Sequence, residues 1–231
     1  KTNKIVCVSD YDRKIALEKL PVFPEKVTTI HNGMPDVEET YFSNPEKPGT
    51  VHIVMVARMD YQKDHLLALK AVKDLSNFHL HFVGDGPLEN EIIRKVRSLQ
   101  ITDKITFHGS TDQVHKILAK AQIFILVSNW EGFPRSTIEA MRAGLPVVVS
   151  DVGGAAEAIE EGVNGFSVPK GDLFALKYRL SELIENPELR KRMGKAGRNR
   201  YENYFTFERM FDQTFAVYKE ILEKGNQSSI G

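Results

Sequence analysis

The sequence has one cysteine, Cys7, among its 231 residues. A single thiol excludes an internal disulfide framework and a metal site built from several cysteines. Cys7 lies in the apolar run KIVCVSD, which favours a buried core thiol over a nucleophile. The seven histidines show no metal-ligand spacing, and the alternation of His79 and His81 with apolar residues favours structural roles on one face of a strand.

An excess of charge of either sign is also lacking, because Lys plus Arg and Asp plus Glu both number 31. No overall field therefore steers the chain onto nucleic acid or an anionic membrane, and any anion site must be local. No apolar run approaches the roughly 20 residues of a membrane span. The 42% apolar and 27% charged residues are typical of a globular protein. The first residue is Lys1 rather than Met, which suggests a piece of a longer protein.

Apolar strands and amphipathic helices alternate from residue 51 onward. The pattern predicts six short strands, at 51–58, 78–84, 104–109, 122–128, 146–151 and 165–169. Helices between successive strands imply right-handed parallel crossovers. The sequence therefore predicts an α/β fold with a doubly wound, Rossmann-like parallel sheet.

The ends of the chain differ from this middle. Residues 1–36 predict one further β-α-β unit, and 37–50 read as a linker rich in proline. The sheet domain then spans 51–204, and 205–231 form a closing helix with a frayed tail. Within the domain, the basic segment LRKRMGKAGRNR at 189–200 is rich in turn residues, which favours a solvated loop over a membrane-contacting surface.

Candidate binding residues follow the predicted strands directly. Ligands of open parallel sheets bind beyond the carboxyl ends of the strands. The residues in question are Arg58 and Lys63 after the first strand, Gly84 after the second, Gly109 after the third, Glu131 to Pro134 after the fourth, and Gly153 with Gly154 after the fifth. Two cations, helix N-termini and glycines at one rim suit a nucleoside diphosphate. The segment GDGPLEN is not GxGxxG, so a nicotinamide fingerprint is absent.

Two glutamates stand out at the fourth strand's exit. Glu131 lies between Trp130 and Phe133, where a charged residue has no obvious structural duty. Glu139 has two readings. It is either the N3 residue of a capping box with Ser136 as N-cap, or a ligand-binding carboxylate. A carboxylate accepts hydrogen bonds from vicinal hydroxyls, and a nucleotide-sugar offers two such diols.

These elements carry a resemblance to a known family. The chain resembles the C-terminal, donor-binding half of retaining GT-B glycosyltransferases of family 4, also called group 1, over roughly residues 1–220. The matching elements are HNGM, ARMDYQKD, FVGDGP and the long run from FHGSTDQ through EGFPRSTIEA to NGFSV. Residues 1–36 then correspond to the last β-α-β unit of an absent N-terminal domain, and 37–50 to the interdomain linker.

The resemblance implies roles for particular residues. Glu131 faces the donor sugar, Glu139 holds the ribose, and Arg58 with Lys63 neutralises the diphosphate in place of a metal. Further donor contacts are implied at Gly84, His108, Phe133, Pro134, Arg135, Ser136 and Thr137. No cofactor is implied, and the donor is a nucleotide-diphosphate sugar, with uridine the commonest base in the family.

The sequence departs from the family pattern in places. Ala57 stands where the family usually has glycine before its arginine, and Lys63-Asp64 stands where it has Lys-Gly. A carboxylate beside phosphates is unfavourable, so we expect Asp64 to cap the following helix.

The implied function is transfer of a hexosyl group, with retention, to a saccharide or lipid-linked acceptor. The implied location is the cytoplasm, with peripheral contact at the inner membrane face common among such enzymes. Two alternatives stay open: a non-catalytic nucleotide-sugar-binding module that needs a partner domain, and a nucleotide-sugar epimerase of the same architecture.

Overall fold

A computed structural model describes residues 2–227, with side-chain surroundings up to residue 223. A small first unit consists of strand β1 (Ile5–Cys7), helix α1 (Asp10–Lys19) and strand β2 (Val27–Thr29). Its two strands pair in parallel and form a sheet of their own. Ser9 caps α1 by accepting a hydrogen bond from the Asp12 N–H at 3.0 Å.

The main sheet has six parallel strands. They are β3 (Val51–Val56), β4 (Phe78–Val83), β5 (Ile105–Phe107), β6 (Ile123–Leu126), β7 (Val147–Asp151) and β8 (Gly165–Pro169). All four residues of β6 are buried, as expected of a parallel strand covered on both faces. The six predicted strands are confirmed.

The order of the strands is β5-β4-β3-β6-β7-β8. The chain winds outward from β3 to one edge and then returns to build the other half from β6. Strands β3 and β6 pair through Ile53 with Ile123 and Val54 with Phe124. The predicted doubly wound, Rossmann-like fold is confirmed, and its topological switch point lies between β3 and β6.

Helices cover both faces of this sheet. They are α2 (His65–Val72), α3 (Glu89–Ser98), α4 (Val114–Leu118), α5 (Arg135–Arg142), α6 (Leu173–Glu185) and α7 (Pro187–Tyr204). The last helix, α8 (Phe207–Gln227), follows α7 along the chain. One hydrophobic cluster packs α2, α3 and α6 on one face. The other cluster packs α4, α5 and α7 on the opposite face. Asp64 caps α2 as expected, because its carboxylate accepts from the Leu67 N–H at 2.9 Å.

The prediction of a turn-rich solvated loop at 189–200 is wrong, because this segment lies inside the helix α7. Gly194 permits close packing there: a Cβ at this position would collide with the backbone oxygen of Gly144. Arg190 is buried and donates to the carbonyl oxygens of Pro45, Leu183 and Ile184. Gly194 therefore serves packing between helix and backbone, and part of the charge of this segment is used inside the molecule.

A second local correction concerns the stretch 155–162 between β7 and β8, where the alternation of strands and helices in the sequence predicts a short helix. It contains only a 3-10 turn, Ala155–Ala158. Among the residues that the structure describes, no helix combines the length and apolar character needed to cross a membrane.

Candidate functional site

The loops that follow β3 and β6 meet at the switch point of the sheet. The Asp64 N–H donates to the carbonyl oxygen of Val127 at 2.9 Å, and the Asn129 N–H donates to that of Gln62 at 2.7 Å. Lys63 and Ser128 form an isolated antiparallel bridge between the same loops. Backbone pairing thus holds Lys63 beside the segment that carries Glu131.

Lys63 and Glu131 form an ion pair through Nζ and Oε1. Both side chains are largely buried, with 14% and 6% of their surfaces exposed. The Ser128 hydroxyl donates to the same Oε1 at 2.6 Å, and Gln62 donates to Oε2 at 3.4 Å. The Glu131 carboxylate is therefore charged, oriented and surrounded by donors, without being aimed at solvent.

Arg58 borders a cleft at the same rim. Its side chain is 70% exposed, and its nearest charged partner is Asp60, with Nε and Oδ2 3.7 Å apart. A cavity of about 290 Å³ lies between the ends of β3 and β4, lined among others by Arg58, Gly84 and Ser110. Gly84 has φ +129°, and a Cβ there would collide with the Ala57 carbonyl oxygen, so the turn requires glycine.

The loop after β7 packs directly on the Glu131 loop. A Cβ at Gly153, which has φ +57°, would collide with the carbonyl oxygen of Glu131. A Cβ at Gly154 would collide with the Gly132 carbonyl oxygen and with the Ser9 side chain. The two glycines therefore allow three loops to approach one another at this rim.

Helix α5 begins two residues earlier than a capping box at Ser136 requires. Its N-cap is Pro134, which makes no side-chain capping bond, and Ser136 is the second residue of the helix. The capping alternative for Glu139 is therefore excluded. Pro134 and Phe133 are buried, whereas Arg135 is exposed and its Nε lies 3.3 Å from the Met34 sulfur.

Glu139 is mostly buried and makes no hydrogen bond or close ion pair with any residue that the structure describes. Burial raises the pKa of its carboxyl above the ordinary value of 4.5, and Arg142 and Arg135 oppose that rise only through longer-range attraction. On the same helix, the Thr137 hydroxyl is buried with no hydrogen-bond partner in the described chain. A buried hydroxyl without a partner and a half-buried carboxylate without a protein donor within the described residues, on one short helix, leave hydrogen-bonding capacity that a ligand can use.

The sequence alone did not indicate Glu157 and His31. Both carboxylate oxygens of Glu157 accept from the first turn of α1, from the N–H groups of Asp10 at 2.9 Å and Tyr11 at 2.8 Å. His31 Nε2 lies 2.8 Å from the same carboxylate, and its ring lies 4.4 Å from that of Phe133. This contact joins the first unit to the site loop.

The neighbouring Asn32 extends that contact, since its Nδ2 donates to the Phe133 carbonyl oxygen at 2.8 Å. Asp10, His31 and Glu157 are also the one group in the described chain with three possible metal-ligand atoms within 4.8 Å. The hydrogen bonds that the Asp10 and Tyr11 N–H groups donate to the Glu157 carboxylate already account for the position of Glu157. No local sequence pattern signals Glu157, because its partners lie more than 120 residues away.

His108 points away from the cleft that borders Arg58. Its Nε2 lies 3.0 Å from Nδ1 of His81, and the ring lines a different cavity, beside α4. The side chain of His108 therefore does not line the 290 Å³ cavity beside Gly84. Its role in donor binding stays a prediction.

Cations, a buried carboxylate and glycine turns meet at the switch point of a Rossmann-like sheet, which is the position where open α/β sheets bind their ligands. The model of the family described as glycosyl transferases group 1 matches residues 36–200, which is more than half of the chain. The chain therefore belongs to this family.

In the aligned regions, about a quarter of the residues are identical between this chain and the relatives described next. The N-acetyl-alpha-D-glucosaminyl L-malate synthase of Bacillus anthracis is 27% identical over 197 residues, covering 85% of this chain and 52% of that protein. The UDP-Gal:alpha-D-GlcNAc-diphosphoundecaprenol alpha-1,3-galactosyltransferase of Escherichia coli is 25% identical over 239 residues, covering 96% and 61%. The chain thus spans between half and two thirds of the length of these relatives.

Solved structures show the same fold. A glycosyltransferase from Rickettsia africae superposes with a TM-score of 0.85 at 24% identity, over 96% of this chain and 64% of that one. HepE from Anabaena, in complex with UDP and glucose, gives a TM-score of 0.84 at 19% identity, over 94% and 64%. The six-stranded parallel sheet with its flanking helices is thus shared with both structures.

Proposed function

We propose that this chain is the donor-binding half of a retaining, family 4 glycosyltransferase that uses a nucleotide-diphosphate hexose. The observation that carries the proposal is the carboxylate of Glu139, buried on α5 without a partner in the described chain. A largely buried carboxylate to which no described protein group donates can accept from a ligand, and the two hydroxyls of a ribose would supply such hydrogen bonds.

The diphosphate of the donor would bind between Arg58 and Lys63. Arg58 is exposed beside the 290 Å³ cavity, which would take the base, and Lys63 lies at the base of the same loop. Two cations stabilise the negative charge that develops as the diphosphate leaves. Because fixed cations supply this charge, we propose that the reaction needs no metal ion.

Binding of the diphosphate would also change the Lys63–Glu131 pair. An anionic ligand competes for the Lys63 ammonium, and the Glu131 carboxylate is then free to accept hydrogen bonds from the sugar hydroxyls. Glu131 would keep its bond from Ser128, which holds the carboxylate in place while the partner changes. The residue would therefore act as an orienting group for the sugar.

The proposed donor is a UDP-hexose, and the proposed acceptor is a saccharide or a lipid-linked saccharide. Two similar proteins support this choice. The Escherichia coli relative is named as a transferase that uses UDP-Gal, and the structure of HepE from Anabaena contains UDP and glucose. Transfer itself would need the part of the protein that this chain does not span. We propose a cytoplasmic location, at the inner membrane face where the acceptor is lipid-linked.

Calorimetric titration of the chain with UDP, GDP and ADP in EDTA tests the proposal. We expect saturable binding of UDP and at least tenfold weaker binding to Glu139→Gln, because the neutral amide loses the charge-assisted bonds to the ribose. Glu18→Gln is the matched control, since Glu18 is an exposed glutamate on α1. Absence of binding by all three nucleotides to the folded chain, or dependence on added Mg²⁺, would contradict the proposal.

A further inference from the structure

Four histidines lie together on one face of the sheet near its β5 edge. They are His52 on β3, His79 and His81 on β4, and His108 just after β5. His52 Nδ1 lies 2.8 Å from His81 Nε2, and His81 Nδ1 lies 3.0 Å from His108 Nε2. Both contacts are hydrogen-bond distances, so three imidazoles form a continuous chain across three strands.

This chain of imidazoles lines a cavity of about 630 Å³ beside α4. We call the cavity the histidine groove; it is lined chiefly by Lys47, His52, His81, His108, Lys116 and Lys120. None of its lining residues within the described chain is acidic. The volume falls in the range of small-molecule sites, and the three lysines give the groove a positive charge.

The histidine groove is distinct from the candidate donor cleft. That cleft lies between the carboxyl ends of β3 and β4 and is lined by Arg58, Gly84 and Ser110. Thr111 is the one residue that lines both cavities. The proposed donor chemistry uses neither His52, nor His81, nor the lysines of the groove.

His81 is uncharged in this arrangement. Burial, together with repulsion from the neighbouring imidazoles of His79, His52 and His108, lowers the pKa of its imidazole to about 3. The other charged groups that face the chain are Lys47, Lys116 and Lys120, and also Asp103, which acts on His79. Burial lowers the pKa of His52 and of His108 as well. The charge of Lys47 lowers the pKa of His52 further, and the charge of Lys120 lowers that of His108.

We propose that the histidine groove is a second binding site, which takes a phosphorylated small molecule. Imidazole N–H groups and lysine ammonium groups are donors that suit phosphate oxygens, whereas the lysines repel a metal cation. Thr111 and Gln113 add neutral donors at the mouth of the groove. A bound dianion would offset the repulsion between the imidazoles and the lysines, so binding and protonation of His81 would favour each other.

Histidine-selective NMR on this chain tests the proposal, with inorganic sulfate and glucose 6-phosphate as probes. We expect saturable shifts in the ring signals of His52, His81 and His108 that sodium chloride at equal ionic strength does not reproduce. The rings of His31 and His115 are internal references, because they contact Phe133 and Tyr41 outside the groove. Absence of saturable shifts, or equal shifts at every histidine, would overturn the proposal.

Paired variants separate the groove from other anion sites. The double variant Lys47→Ala/Lys120→Ala should weaken sulfate binding about tenfold or more. Lys70→Ala/Lys73→Ala, which removes two exposed lysines at α2 on the opposite face, should leave it unchanged. Arg58→Ala should also leave these shifts unchanged, so failure here is distinguishable from failure of the donor proposal.

Two further measurements complete the test. Sulfate keeps its charge across the titration range of histidine, and the imidazoles of the groove have pKa values below the ordinary 6.5. Sulfate binding that tightens as the pH falls below about 6.5 would therefore support the groove as the site, whereas binding independent of pH from about 4.5 to 8 would overturn the role of the imidazoles. Vesicles that contain phosphatidylglycerol form a separate arm. Shifts with vesicles but with neither free probe would make the groove a membrane contact and would overturn the small-molecule site.

Discussion

Lys63 and Glu131 form a largely buried ion pair across the switch point, and each comes from a different loop of the sheet's rim. The pair joins the end of β3 to the end of β6, and Ser128 supports the carboxylate. A buried charge that loses its partner destabilises the folded state. The same two residues therefore contribute to the stability of the chain and to its proposed donor chemistry.

Removal of Lys63 should therefore destabilise the fold. We expect Lys63→Ala to lower the free energy of unfolding by roughly 3–5 kcal/mol, because Glu131 then remains buried without its counter-ion. Arg58→Ala is the control, since Arg58 is 70% exposed and its loss should change stability by about 0.5 kcal/mol or less. Urea denaturation measures both. Addition of Glu131→Gln to Lys63→Ala should restore part of the loss; equal stability of Lys63→Ala and the original chain would contradict the buried pair.

Ionisation of the Glu139 carboxyl should lower the free energy of unfolding as the pH rises. Its folded-state pKa is raised by burial, so the folded state holds its proton to higher pH than the unfolded state does. Stability is then lost between the unfolded pKa near 4.5 and the higher folded pKa. We expect Glu139→Gln to be more stable than the original chain at neutral pH, with the difference closing below pH 4.5.

Urea midpoints measured across this pH range check the expectation, with Glu18→Gln again as the control. A Glu139→Gln variant that is less stable at neutral pH would indicate a structural role for the carboxylate. Gain of stability together with loss of nucleotide affinity is the combination that a ligand-binding carboxylate predicts.

Gly153 should tolerate alanine worse than Gly162 does. Both have positive φ, +57° and +74°, so each substitution carries backbone strain of about 1–2 kcal/mol. Only at Gly153 would the new Cβ collide with a backbone atom, the Glu131 carbonyl oxygen; at Gly162 no atom lies within 4 Å. We expect Gly153→Ala to be the more destabilising by about 1–3 kcal/mol and also to weaken nucleotide binding. Thermal unfolding measures stability and calorimetry measures nucleotide binding. Equal destabilisation by the two substitutions would show that the close approach of the loops is unimportant.

The two glycines of α7 should respond oppositely to alanine. A Cβ at Gly194 would collide with the Gly144 carbonyl oxygen, whereas the nearest atom at Gly197 is the Leu145 oxygen at 3.4 Å. We expect Gly194→Ala to destabilise the chain by about 1–3 kcal/mol. Gly197→Ala should be neutral or stabilise it by up to about 1 kcal/mol, because alanine favours a helix interior. Equal effects in denaturant titrations would show that α7 does not pack on this turn through Gly194.

The features that could be predicted from the sequence depend on residues that lie close together along the chain. The runs at 51–56 and 123–126 are apolar and short, which predicts buried parallel strands without any knowledge of their partners. Positions directly after strands, such as Arg58 and Glu131, reach the rim because parallel strands all end there. The Asp64 cap was equally local, as it depends on an N–H three residues away.

Where local patterns misled, a distant contact decided the outcome. The pattern STIE predicts a cap at Ser136, but Pro134 begins the turn while Asn32, about a hundred residues earlier, holds the Phe133 carbonyl. The glycines and arginines of α7 suggested turns because their partners, such as the Gly144 backbone, are absent from the local pattern. Local propensity is weak, and tertiary packing overrides it.

The sequence by itself determined the strands, the doubly wound parallel fold class and the positions that directly follow each strand, because hydrophobic periodicity and chain connectivity are local properties. The order of the strands, and with it the position of the switch point, depends on pairing between distant segments. The tertiary structure decided which side chains pair and which stay unpaired. It joined Glu157 to α1, turned His108 toward His81 and left Glu139 without a partner in the described chain. Those outcomes depend on distances between residues far apart in sequence and on burial, and neither is set before the chain folds.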